Sequence, residues 1–170
     1  MNRLITMVMC MSMIGGPLFL SVQAKAAVTD EDKQFLAMAA QSDVNEIKLS
    51  KLAETKAATP QVKAFAQKMV ADHTKLAAEM KPFTTAWGVT VPTDLDADHQ
   101  AIYDNLNGLS GAEFDKEYMN AMAKDHHQAL AAFTKEADST TDTKFKKAVI
   151  NGKSVITAHT NMADSLNGKS

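Results

Sequence analysis

Val62-Lys63-Ala64-Phe65-Ala66-Gln67-Lys68-Met69-Val70-Ala71-Asp72-His73-Thr74-Lys75-Leu76 is the stretch that decides the fold. Val62, Ala66, Met69, His73 and Leu76 alternate steps of four and three, and Met80 and Phe83 continue the series. That spacing lines up one side of a 3.6-residue helix and predicts a buried stripe. Every member but His73 is apolar. A polar group on a buried stripe costs free energy unless it finds a partner. His73 therefore demands one.

The same pattern recurs. Phe145, Ala148, Gly152, Val155, His159, Met162 and Leu166 form a second stripe, and Met119, Met122, His126, Ala129 and Phe133 a third. Phe35, Ala39, Ser42, Glu46, Leu49 and Ala53 form a weaker fourth, widened by Leu36 and Ile47. Each stripe carries one ionisable residue: Glu46, His73, His126 or His159.

Capping signals divide the chain into helices over 30–58, 60–86, 94–106, 110–138 and 142–166, with no strand. Thr29 or Asp30 caps the first, and Thr59-Pro60 restarts the chain as N-cap and first helical residue. Pro82 predicts a kink or an early end near Met80, and Gly88 is a C-terminal stop. Ser110-x-x-Glu113 reads as a capping box. Gly152, inside the last helix, marks close helix packing. The expected fold is all-α: a four-helix bundle with a short extra helix in the connection between the second and third long helices.

Residues 1–26 read as a secretory signal peptide: a basic start ending at Arg3, an apolar run from Leu4 to Leu20, and Ala24-Lys25-Ala26 as cleavage site. Val22-Gln23-Ala24 offers a second cut. The apolar run is short for a membrane span and is broken by Gly15, Gly16 and Pro17. Cleavage after Ala26 leaves 144 of the 170 residues as one bundle domain, 27–170. It removes Arg3 and Lys25, the leader's only charged residues, and takes the net charge from −2 to −4. Arg3 is the only arginine. Phosphate and nucleic-acid sites favour arginine forks, so nucleic-acid binding is not expected, nor is a membrane span after cleavage. Cys10, the only cysteine, lies in the leader without the small residue that precedes a lipoprotein cysteine. The remaining chain has no disulfide and no thiolate ligand.

Depth along the helices groups the four polar residues. Glu46 lies thirteen residues before Thr59 and His73 thirteen after Pro60, so both stand roughly 20 Å from the first turn at 1.5 Å per residue. His126 lies fourteen before Thr140 and His159 nineteen after it, an offset of about 7 Å. His159 is the least secure member. Such donors suit zinc, copper or iron. The Glu-x-x-His pairs of di-iron bundles are missing, since Val70 and Ala123 stand three residues before His73 and His126. Met69, Met122 and Met162 stand one helical turn from seam histidines and would suit Cu(I), although methionine is also ordinary core filler. Asp72 and Asp125, each just before a seam histidine, flank the stripe and are placed to orient an imidazole from another helix. His99 and His127 read as surface residues.

The same residues resemble a known family. Phe35 with Ala39-Ala40, then Val44-Asn45-Glu46-Ile47-Lys48-Leu49, is similar to its opening helix. The stretch from Val62 to His73 is the most specific match. Val89-Thr90-Val91-Pro92, the stretch Leu109-Ser110-Gly111-Ala112-Glu113-Phe114-Asp115 with Tyr118, and Asp125-His126 follow in the family's order. The chain resembles domain-of-unknown-function family 4142, exported bacterial proteins often labelled outer-membrane proteins. The resemblance implies a ferritin-like bundle in the bacterial envelope and supplies no activity. The chain lacks barrel alternation and a lipobox, so the periplasm is the expected location.

Three functions fit these residues. The first is a metal-binding bundle that holds one transition-metal ion with Glu46, His73, His126 and His159, for metal buffering or stress protection. The second is a metal-free structural or interaction protein whose polar layer sets helix register. The third and weakest is a metal-dependent oxidoreductase, so an enzyme is not the favoured reading. The leader itself makes a prediction. The intact mass of the exported protein should correspond to a chain starting at Ala27 or Lys25, and full-length chain in the membrane fraction would contradict it.

Overall fold

The computed structural model describes residues 27–168. The signal-peptide reading of 1–26 lies outside them. Five helices follow one another: α1 (Asp30–Lys56), α2 (Pro60–Trp87), α3 (Ala97–Gly108), α4 (Gly111–Ser139) and α5 (Thr143–Asn167), with no strand among the described residues. The expected four-helix bundle with a short extra helix is what forms. Helices α1 and α2 make one hairpin, α4 and α5 the other, and α1 packs on α4 as α2 packs on α5.

The connection between hairpins runs back along α1. Gln41 donates to the Asp94 carbonyl, Asn45 to the Asp96 carboxylate, Lys48 pairs with Asp94, and Lys56 donates to the Asn107 carbonyl. This return path starts α4 at the α1–α2 turn, where the Asp115 carboxylate accepts from the backbone N–H groups of Ala58 and Thr59 at 2.8 and 2.9 Å. Helix α4 therefore runs parallel to α2 and antiparallel to α1. One long crossover of this kind is a standard route through a four-helix bundle.

Caps account for most boundaries. Thr29 and Asp32 form a reciprocal capping box on α1, Thr59 caps α2 ahead of Pro60, and Asp142 accepts from Lys144 and Phe145 at the start of α5. Two expectations need correction. Ser110 makes no side-chain cap bond, so the Ser110-x-x-Glu113 box does not form; Gly111 turns the chain there at φ +63°. Helix α2 does not stop near Met80 but passes Pro82 to Trp87. Pro82 and Ala78, whose carbonyl loses its donor, both lie on the exposed side, where water can replace the missing bond. Aromatic packing holds the last turn: Trp87 and Phe83 meet the Phe145 ring at 4.6 and 5.1 Å between centroids.

The core has two apolar layers. One holds Leu49, Phe65, Met69, Phe114, Tyr118, Met122 and Ala163 near the α1–α2 turn. The other holds Phe35, Leu76, Ala129, Phe133, Phe145 and Ile156 toward the opposite end. Each seam histidine falls between them in sequence: His73 between Met69 and Leu76, His126 between Met122 and Ala129, His159 between Ile156 and Ala163.

Gly152 bears out its sequence reading. A Cβ added there would lie 2.5 Å from Phe133 Cε1. The Phe133 ring is itself held edge-on by Phe35 at 4.8 Å and cannot retreat freely. Gly152→Ala gains about 1 kcal/mol of helix propensity against roughly 1–3 kcal/mol of overpacking. We expect a net loss near 1 kcal/mol in denaturant unfolding. Phe133→Leu in the same chain should restore part of it, and additive effects of the two changes would show that the contact does not govern the site.

Candidate metal centre

The sequence reading asked four helices for one polar residue each, and three of the four meet. One ring nitrogen each of His73, His126 and His159 lies within 4.8 Å of the other two. Ring centroids stand 5.7 Å apart for His73–His126 and 5.4 Å for each pair with His159. All three side chains are essentially fully buried.

Helix lengths explain the convergence. Helix α5 begins at Thr143, because residues 140–142 form the turn. Counted from the helix ends, His126 is thirteen residues from the turn and His159 sixteen. The residual offset is about 4.5 Å, within the span of two imidazole side chains. The first hairpin shifts the other way. Helix α1 ends at Lys56, so the residue level with His73 is Asp43; both stand thirteen residues in from their helix ends.

Each ring is held by its other nitrogen. His73 Nδ1 meets Asp43 Oδ1 at 2.8 Å, His126 Nδ1 the Met122 carbonyl at 2.8 Å, and His159 Nε2 meets Asp72 Oδ2 at 2.8 Å. This leaves His73 Nε2, His126 Nε2 and His159 Nδ1 buried with no hydrogen-bond partner. A carbonyl only accepts, so His126 carries its proton on Nδ1 and its Nε2 is a bare lone pair. Burial would raise Asp72, but hydrogen bonds from Lys68 and His159 outweigh it and hold the carboxylate below its usual range. His159 then donates from Nε2, and its Nδ1 is a lone pair. Burial pushes Asp43 up to about 8, so a protonated Asp43 donates to His73 Nδ1 and His73 keeps its own proton on Nε2; the third lone pair opens when the pair gives up one proton, as it would to a bound cation. With that proton gone, the three lone pairs repel one another unless a cation lies between them. A metal ion fits this donor set, and the ring partners are those that orient metal-bound imidazoles.

Glu46 is placed apart. Its Oε1 lies 3.8 Å from His126 Nδ1, the nitrogen already taken by Met122, and its Oε2 has no partner. Burial first, then the nearby Asp125, pushes its carboxyl well above the usual range. Asp125 reaches His99, with Oδ2 at 3.3 Å from Nε2, and none of the three clustered rings. His99, expected on the surface, is partly buried between Asp125 and Asp96. The Asp125 contact leads in pushing it up to about 9. His127 is exposed and pairs with Asp164. Sequence reasoning missed Asp43; the signal available was its place one turn before Glu46 on the same stripe.

The bundle gathers one histidine from each of three helices about a buried point. The chain itself is a member of the family described as Domain of unknown function (DUF4142), whose model matches residues 18–166. No curated protein matches it. Among solved structures, a DUF305 fragment from Deinococcus radiodurans shares the fold with a TM-score of 0.73 at 13% identity, covering 84% of this chain and 98% of that one. CopM in the Cu(II)-bound form aligns with a TM-score of 0.69 at 20% identity, and in the Ag-bound form with 0.68 at 21%; each covers 81% of this chain and 96% of CopM. No described helix is long and apolar enough to cross a membrane.

The histidines set an acid response. Burial lowers His73 to about 4, His126 to about 3 and His159 to about 4, from 6.5. Below 6.5 the unfolded chain takes up protons that the folded rings refuse, so the histidines' contribution falls as pH drops from 6.5 to about 3. Burial holds protons on Asp43 and Glu46 in the fold over the same window, which offsets part of that loss. Replacing all three histidines with Leu or Met should leave stability less diminished by acid than in the metal-free parent when both are followed by pH-dependent denaturant titration, and an unchanged slope would remove the histidines as its cause.

Proposed function

We propose that this is an exported periplasmic protein that binds one transition-metal ion per chain on His73, His126 and His159, in metal buffering or protection of the envelope from metal stress. The observation that carries the reading is three buried rings with one nitrogen each within 4.8 Å of the others, and on each ring one nitrogen without a partner. Asp43, Asp72 and the Met122 carbonyl fix the rings. Glu46 stands behind His126 as a reserve carboxyl, and Asp125 acts through His99. The shared fold with CopM, captured with copper and with silver, adds support at the level of architecture alone.

One observation favours a second reading, a metal-free layer that fixes helix register. Every ring already has a protein partner. Replacing Glu46, His73, His126 and His159 together with apolar residues separates the two. A register layer replaced whole by packing leaves stability unchanged or raised, and the parent then melts identically with chelator and with metal. Under the metal reading the loaded parent gains RT ln(1 + [L]/Kd), roughly 2.7 kcal/mol at a hundredfold excess of free metal over Kd. His73→Ala, His126→Ala and His159→Ala should each abolish that gain. Asp43→Ala should weaken metal affinity about 10–100-fold without removing a ligand. Elemental analysis of protein purified from its own periplasm should return close to one metal per chain.

A further inference from the structure

The metal reading leaves open which ion, and the surroundings of the three nitrogens narrow it. We infer that the centre is built for a monovalent, three-coordinate soft ion, Cu(I), and against Zn(II) and Fe(II). This inference rests on the proposed metal site and sharpens it.

Coordination number is the first ground. Among the described residues the cluster contains three histidines and no fourth His, Cys, Asp or Glu. The rings cannot turn to bring one, because each is fixed by its second nitrogen. Glu46 lies on the far side of His126 from the open nitrogens. Zn(II) in protein sites takes four ligands, three from protein plus water where the site is open. Water is the only candidate for a fourth place here, and a buried water needs two to four polar partners. The residues one helical turn from the rings are Met69, Leu76, Met122, Ala129, Ile156 and Ala163, all buried and apolar. They offer a water nothing to bond, and the buried Glu46 of α1 stands at the other nitrogen of His126. Three-coordination satisfies Cu(I) and leaves Zn(II) and Fe(II) short.

Charge is the second ground. The solvation cost of burying an ion rises with the square of its charge, so a dry site tolerates a monovalent ion far better than a divalent one. Two carboxylates hold the rings. Asp72 is already matched by Lys68 at 2.8 Å.

The test is a competition on the mature, metal-free chain under anaerobic conditions. Cu(I) is titrated against a chromophoric Cu(I) chelator, Ag(I) is followed as a redox-inert probe by thermal shift, and Zn(II) and Fe(II) are titrated in parallel. We expect one Cu(I) and one Ag(I) per chain, each bound at least a hundredfold tighter than Zn(II) or Fe(II). X-ray absorption of the Cu(I) form should show three nitrogen neighbours and no fourth light ligand. Zn(II) or Fe(II) binding as tightly as Cu(I), or a four-coordinate Cu(I) centre with an oxygen ligand, would overturn the inference and leave the metal reading intact. Absence of binding by all four ions would overturn both. His126→Ala should lower Cu(I) affinity by more than tenfold while circular dichroism stays helical, and Cu(I) affinity unchanged in a folded variant would place the ion elsewhere.

Discussion

Three imidazoles are buried where an apolar bundle has its waist, and each has one nitrogen without a partner. An unsatisfied polar atom in such a place is costly, and here there are three. The structure answers half of this demand within the protein. Asp43, Asp72 and the Met122 carbonyl take the outer nitrogens. The inner half is answered by a cation or by nothing.

Much of the architecture supports that arrangement. The crossover along α1 sets α4 antiparallel to it, and Asp115 locks the start of α4 to the α1–α2 turn. Gly152 lets α5 close onto Phe133. The aromatic group of Phe35, Phe83, Trp87, Phe133 and Phe145 fills the far end. With apolar layers on both sides, the rings have low freedom and little access to water, which is the preorganisation a selective metal site needs.

A second polar station lies outside the waist. His99 on α3 bridges Asp96 and Asp125, while Asn45 joins α1 to the same group. It ties the short helix to α1 and α4 beside the apolar packing of Ile102, Tyr103 and Leu106. Asp125, beside His126 in sequence, thus serves the periphery. Asp72, beside His73, serves the centre through His159.

The helical seams and their histidines were legible in the residues alone, because a period of 3.6 displays one face of a helix whatever it packs against. His73, His126 and His159 stand out on that basis, and so does the four-helix arrangement. The early end allowed for at Pro82 does not occur, since a missing hydrogen bond matters less on an exposed face than inside a core. Pairing across helices was decided by tertiary structure. Helix ends that differ from the capping signals by two or three residues move a side chain by about 3–4.5 Å along the axis. That distance puts Asp43 in place of Glu46 beside His73 and narrows the gap between His126 and His159 from about 7 to about 4.5 Å. It exceeds the tolerance of a hydrogen bond, so the partners of the rings were settled only when the helices were packed.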